Sequence, residues 1–221
     1  MRAPIGETPA SDGKSEESCD PAARDASTPR AMVFRVRLAS LLGALLTLCG
    51  GCTHHAPPEV TDVDGHEVEP FAGAPHVTVL AFTSTQCPIS NRYAPELGRL
   101  YSEFAARGVQ FYLVYPRASE SAAEVRDHVH AYGYPFAALR DPGHSLVTRA
   151  GASVTPEVAV FAPGGELAYR GRIDDRQVDF GKTRAEPTTH DLELALQAVV
   201  AGHAPEVWST PAIGCSIPPV R

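Results

Sequence analysis

His76-Val-Thr-Val-Leu-Ala-Phe82-Thr-Ser-Thr-Gln-Cys87-Pro-Ile-Ser90 is the stretch on which the fold turns. Its first half is a short β-branched run bounded by turn residues, the pattern of a central strand buried on both faces. Beyond Ser90 the apolar period changes to that of a helix: Tyr93, Leu97, Leu100, Tyr101 and Phe104 recur at helical spacing up to a stop at Gly108. Cys87 therefore falls between the end of a buried strand and the first turn of a helix. Unpaired backbone N–H groups and the positive end of the helix dipole meet a side chain there, and both favour a thiolate. Ionised and partly exposed at neutral pH, such a cysteine is a nucleophile. The bland alternative is a buried, inert cysteine.

Downstream, Val109 to Tyr115 (VQFYLVY) reads as a second buried strand. Ser121-Ala-Ala-Glu124 is a capping box opening a helix whose Val125, Val129 and Tyr132 share a face, closed by Gly133. Asp141 to Ala150 reads as a short helix ending at Gly151. Glu157 to Phe161, the Pro163-Gly164-Gly165 turn and Glu166 to Ile173 form an antiparallel hairpin. Asp174 to Pro187 is polar and irregular, and a last helix spans about Asp191 to Ala201. Upstream, Asp64-Gly65 centres a small hairpin over Val60 to Val68. This order predicts an α/β fold, a mixed central sheet with helices on both faces.

The 221 residues suit one folded domain with appendages, and 43% hydrophobic residues suffice for a sizeable core. A net charge of −7, with no Lys/Arg block, argues against a nucleic-acid partner. Met32 to Cys52 has two arginines, an apolar run from Leu38 to Leu48 and then Gly50-Gly51-Cys52, which reads as a signal peptide. The run falls short of the roughly 20 residues a membrane-spanning helix needs. Its end resembles a bacterial lipobox with Cys52 as the lipidated residue, although Cys49 stands where Leu is usual; ordinary cleavage is the alternative. Expected segments are thus 1–31, a disordered leader or mis-assigned start with Met32 as the real one; 32–52, the signal peptide; 53–59, a tether; 60–202, the domain; and 203–221, a tail. Cys87 and Cys215 remain as the thiols of an oxidising compartment, outside the cytoplasm and facing the periplasm or exterior.

Three landmarks together resemble the thioredoxin-like superfamily, in its redoxin branch of AhpC/TSA (peroxiredoxin-like) and TlpA-like exported thiol oxidoreductases. Phe82-Thr-Ser-Thr-Gln-Cys87-Pro-Ile-Ser90 stands where the family has F-W-A-x-W-C-x-x-C, Pro95 where it has a helix-kinking proline, and Val154-Thr155-Pro156 where it has a cis-proline segment facing the active cysteine. The resemblance covers about Val60 to Ala201. It implies a three-layer α/β/α sandwich, with Cys87 as the attacking cysteine in a pocket shaped by Ser84, Ser90, Thr155 and Pro156. An ordinary trans proline at Pro156 is the alternative.

Several departures bear on mechanism. Ser90 replaces the second cysteine, so the local disulfide of a dithiol reductase cannot form. Thr83 and Gln86 replace both tryptophans. For a peroxiredoxin, Leu80 stands where Pro is wanted and Ser84 where Thr is wanted. Turnover then requires another thiol, and Cys215 is the internal candidate, since the tail from Gly202 can reach about 40 Å at about 3.3 Å per residue. A permanent Cys87–Cys215 disulfide, worth about 4 to 5 kcal/mol in the chain-entropy model, and a free surface thiol are the alternatives. The expected partners are a protein disulfide or hydroperoxide as substrate, an external thiol reductant, and the membrane through the lipid anchor. No cofactor and no metal are expected: His128 and His130, two apart on a helix, read as solvated surface, and His144 as a helix-start residue. The charge run Arg170, Arg172, Asp174, Asp175 and Arg176 also reads as a solvated face, unless one arginine reaches Cys87. The competing reading from another class is a non-catalytic envelope protein that binds partners or copper.

Overall fold

A computed structural model describes residues 60–73 and 75–220. The leader, the signal segment with Cys49 and Cys52, and the His54–Pro58 tether lie outside the described residues. Among the described residues no helix is long and apolar enough to cross a membrane.

Strand β2 (Val77–Phe82) lies at the centre, parallel to β3 (Val109–Tyr115) on one side and antiparallel to β6 (Glu157–Phe161) on the other. Strand β4 (Ala137–Arg140) continues parallel to β3, β1 (Thr61–Asp62) closes that edge antiparallel to β4, and β7 (Leu167–Gly171) closes the other beside β6. The six-stranded order is β1-β4-β3-β2-β6-β7. It is a mixed sheet, as the sequence predicts, with the addition of β4.

All six residues of β2 are buried, and they alternate between two cores. Val77, Val79 and Ala81 pack with Leu97, Leu100 and Phe104 of α2 (Ala94–Phe104), Val125 of α3 (Ala122–Tyr132) and Leu192, Leu196 and Val199 of α5 (Asp191–Val200). Leu80 and Phe82 pack on the other side with Leu146, Val147 and Ala150 of α4 (Ser145–Ala150). Each such fully buried aliphatic or phenyl group contributes about 1.5–3 kcal/mol of transfer free energy. A strand hydrophobic on both faces is thus stable only where helices cover both, which makes the molecule a three-layer α/β/α sandwich of thioredoxin-like architecture.

The capping box forms as read: Ser121 Oγ accepts from the Glu124 amide, and the Glu124 carboxylate accepts from the Ser121 amide. The helix at Cys87 is broken in two. The short α1 (Pro88–Arg92) stops at Tyr93, and α2 begins with Pro95 in its first turn, where a missing N–H costs nothing. The α4 helix starts at Ser145 rather than Asp141. Asp141 is buried and accepts from the amides of Ser145, Leu146 and Val147, capping the helix from four residues away. His144, at its start with φ 61°, points its Nε2 at the Pro116 carbonyl oxygen.

Three readings are corrected. The stretch Asp174 to Pro187 holds a small hairpin, β8 (Gln177–Asp179) with β9 (Lys182–Thr183). Asp174 and Asp175 within the charge run are buried: Asp174 accepts from Tyr93 Oη at 2.7 Å, and Asp175 from the Thr188 and Thr189 amides at 2.6 and 3.0 Å. Its arginines are engaged away from Cys87, Arg170 with Gly151 and Glu157, Arg172 with Asp191, Arg176 with Glu186. His128 is 6% exposed rather than solvated. Its Nδ1 meets Tyr115 Oη at 2.8 Å and its Nε2 meets Asn91 Oδ1 at 2.9 Å, and burial lowers its pKa, favouring the neutral ring. One N–H donated to Asn91 and one lone pair facing Tyr115 satisfy that ring.

The tail is part of the fold. The Arg170 amide donates to the Trp208 carbonyl (3.0 Å), the Thr210 amide donates to the Arg170 carbonyl (3.1 Å), and Thr210 Oγ1 lies 2.6 Å from Tyr169 Oη. Further on, β10 (Cys215–Ser216) pairs antiparallel with β5 (Val154–Thr155), matching Cys215 to Thr155 and Ser216 to Val154.

Candidate active site

Parallel neighbours end at the same rim, so the loop after β2 and the loop after β3 lie side by side, and β6 begins beside them: Phe82 is opposite both Val114 and Glu157. Cys87 sits at this rim as the N-cap of α1, and the Thr155–Pro156 bond, which is cis, precedes β6. Cys87 Sγ lies 2.7 Å from Cys215 Sγ and 3.0 Å from the Thr155 carbonyl oxygen. Both cysteines are free thiols. The structure thus brings Cys87, Cys215, Thr155 and Pro156 together with Ser90, whose hydroxyl is buried, makes no full hydrogen bond and is available to the Cys87 sulfur.

The electrostatics of the pair are asymmetric. Burial pushes the Cys87 thiol up, but hydrogen bonds to its sulfur from the Cys215 thiol, the Ser90 hydroxyl and the Ser90 and Cys215 amides outweigh it and bring the pKa down to about 7. Burial raises Cys215, and the hydrogen bond and negative charge of Cys87 raise it further, to about 11, with Arg117 alone pulling it down. Near neutrality Cys87 is therefore the ionised partner and Cys215 the protonated one. Carboxymethylation of Cys87 is expected to accelerate with pH through an inflection near 7. An inflection at the free-cysteine value of about 8.5 would contradict this electrostatic account.

Two buried glutamates hold the loops that make the site. Glu120, 2% exposed, accepts at one oxygen from Ser84 Oγ (2.7 Å), the Thr85 amide (2.7 Å) and Thr85 Oγ1 (2.9 Å). Glu157 accepts from the Ser153 amide (2.7 Å) and the Val154 amide (3.3 Å), fixing the approach to Pro156. Ser84 thus stands apart from the sulfur: its hydroxyl proton is committed to Glu120, while its carbonyl accepts the Cys87 amide.

The expectation of a partly exposed Cys87 is corrected. Its exposure is 1%, because β10 lies across it and Cys215 covers its sulfur. Sequence reading passed over Glu120, Glu157, Arg117 and Gly214. The available signal for Glu120 was its position a few residues past a buried strand parallel to β2, since such loops meet at one rim.

A family model described as the AhpC/TSA family matches residues 49–170. Cys215 lies beyond the matched span. The thiol-disulfide oxidoreductase ResA of Halalkalibacterium halodurans is 26% identical over 120 residues, covering 53% of this chain and 67% of that protein. An uncharacterized conserved protein from Geobacillus kaustophilus shares the fold at TM-score 0.64 and 28% identity over 73% of this chain and 87% of that one. A hypothetical protein from Sinorhizobium meliloti 1021 does so at TM-score 0.61 and 28% identity, over 72% and 88%.

Proposed function

The chain belongs to the AhpC/TSA family, and from that premise we propose that it is a thiol-disulfide oxidoreductase in which Cys87 attacks and Cys215 resolves. The observation that carries the reading is the 2.7 Å approach of the two sulfurs between β10 and the start of α1, with the pKa of Cys87 lowered and that of Cys215 raised. Likeness to a relative named as a thiol-disulfide oxidoreductase supports the same chemistry.

In the proposed cycle the Cys87 thiolate attacks one sulfur of a substrate disulfide. The substrate S–S bond breaks, its other sulfur leaves as a thiolate and takes a proton, and Cys87 is held in a mixed disulfide. Cys215 then loses its proton and attacks the Cys87 sulfur. The mixed disulfide breaks, the second substrate sulfur leaves and is protonated, and a Cys87–Cys215 disulfide remains. The substrate has gained two electrons and two protons, which an outside dithiol returns to the chain. The order of events follows from the electrostatics. Once Cys87 is in a mixed disulfide it carries no negative charge, so the charge that keeps Cys215 protonated is gone and Arg117 still favours its thiolate. The resolving thiol is therefore activated by completion of the first step.

A disulfide is favoured over a hydroperoxide as substrate because Ser84, the residue positioned to polarise a peroxide, donates its proton to Glu120. The reading includes export and anchoring at Cys52, supported by the sequence from Met32 to Cys52; mass analysis of the mature N-terminus tests it. For the chemistry, Cys215→Ala is expected to halt after one attack. Mixing that reduced variant with a protein disulfide should accumulate a covalent Cys87–substrate adduct in a single turnover, which wild type clears. Absence of the adduct, or steady turnover by the variant at the wild-type rate, overturns the assignment of Cys215.

A further inference from the structure

The segment lying over Cys87 is a strand, and what holds it is mostly backbone. Cys215 is registered against Thr155 and Ser216 against Val154, the Ile217 amide donates to the Ser153 carbonyl at 3.0 Å, and Arg117 Nη2 donates to the Ser216 carbonyl at 3.1 Å. Main-chain bonds of this kind accept any extended polypeptide, so selectivity falls to the side-chain positions. Three of these are constrained. The cysteine must reach the Cys87 sulfur. The position two beyond it, Ile217, packs against the apolar group formed by Leu80, Phe82 and Leu146. The position before it is the tightest: a Cβ on Gly214 would overlap the Thr155 carbonyl oxygen and stand 2.6 Å from the Thr155 carbonyl carbon and 3.0 Å from the Pro156 nitrogen. Those atoms are backbone of the β5 loop, which Glu157 holds from behind, so they have no room to give. Glycine is required there for space.

We propose that the edge of β5 receives an extended, cysteine-bearing segment of the protein substrate, that Gly214–Ile217 is its resident occupant, and that a segment replacing the tail must carry glycine directly before its cysteine and an aliphatic residue two positions after it. The inference rests on the thiol-exchange reading and names its substrate class. Because the tail is independently fixed to β7 at Trp208 and Thr210, its terminal strand can lift from β5 without the rest of the tail leaving. Substrate and Cys215 then use one place alternately: the incoming strand displaces β10, and the returning β10 expels the product.

The test uses the full chain carrying Cys215→Ser and two blocked peptides, Gly-Cys-Ser-Ile and Ala-Cys-Ser-Ile, each joined through its cysteine to 5-thio-2-nitrobenzoate. Attack by Cys87 on the peptide sulfur forms the protein–peptide disulfide and releases the coloured nitrothiobenzoate thiolate. The glycine peptide is expected to react at least about tenfold faster than the alanine peptide, the clash being the whole difference between them. In the same Cys215→Ser chain, adding Gly214→Ala is expected to force the tail strand off and raise the rate of Cys87 alkylation by about tenfold. Equal peptide rates, or unchanged alkylation in Gly214→Ala, overturn the proposal. Hydroxyethyl disulfide, which needs no strand site, separates the two levels. If it oxidises Cys87 while the peptides do not differ, only the strand site falls; if Cys87 ignores it, thiol exchange falls as well.

Discussion

Cys87→Ser is expected to lower the rate of disulfide reduction by at least about a thousandfold, because a hydroxyl stays protonated where this thiol ionises. The size of the effect comes from the site's construction. Apart from the Thr155 carbonyl oxygen, which accepts from the thiol at 3.0 Å, the groups arranged around the sulfur, the Ser90 amide and hydroxyl and the Cys215 amide and thiol, are donors turned toward negative charge. A serine hydroxyl can use those donors only as a neutral acceptor, so the preorganisation is lost along with the nucleophile. Folding should hardly change, since serine fits the space and the 1%-exposed position keeps its packing against Ile89 and Tyr93. Release of free thiols from a protein disulfide, measured beside thermal unfolding, checks both halves. Residual activity above about a tenth of wild type, in a normally folded variant, would move the chemistry to another residue.

Glu120→Ala carries the second large effect, on stability and on the sulfur together. Alanine removes the acceptor of three hydrogen bonds at once, and the Thr85 amide, unlike the two hydroxyls, has no freedom to find another. A buried orphaned donor costs about 1–3 kcal/mol, so a loss of about 2–4 kcal/mol in denaturant-unfolding free energy is expected. The loop from Ser84 also carries Cys87, whose amide donates to the Ser84 carbonyl. Loosening it draws the sulfur away from the Ser90 donors, and the Cys87 pKa should rise from about 7 toward the free-thiol range. Glu120→Gln separates geometry from charge, because it keeps an acceptor oxygen for the three donors. Its Cys87 titration should stay near that of wild type. A lowered thiol pKa in the glutamine variant would mean that the carboxylate also acts on the sulfur through its negative charge, whereas a raised one would mean that the amide does not hold the loop.

What could be read from residues alone depended on whether a residue's environment is local. Val77–Phe82 apart from Thr78, and Val109–Tyr115 apart from Gln110, are hydrophobic, so burial of most of each strand is written into composition. The Ser121/Glu124 cap completes itself within four residues. Ala137–Arg140 shows nothing of the kind: four of the five residues between Pro135 and Asp141-Pro142 become a strand only because β3 offers an open edge. His128 looks like helix surface until Tyr115 and Asn91 are placed beside it. The same holds for the candidate site. Cys87, Thr155 and Pro156 stand out by their position relative to strand ends. Glu120 and Gly214 matter only through partners 36 and about 60 residues away, and no periodicity records such pairs. The two-residue β10, set between Pro211 and Pro218, is too short to carry a pattern.

The pin at Thr210 sets how fast an intermediate can be captured. Four residues, Pro211 to Gly214, separate the pinned threonine from Cys215, so a lifted sulfur stays within about 17 Å of its anchor at about 3.3 Å per residue. Confinement to so small a sphere is equivalent to a local thiol concentration on the order of tens of millimolar. Free thiols in solution at micromolar levels cannot compete with that. In the proposed cycle capture is therefore first-order and independent of protein concentration, and two copies of the chain meeting in mid-reaction are not expected to become cross-linked.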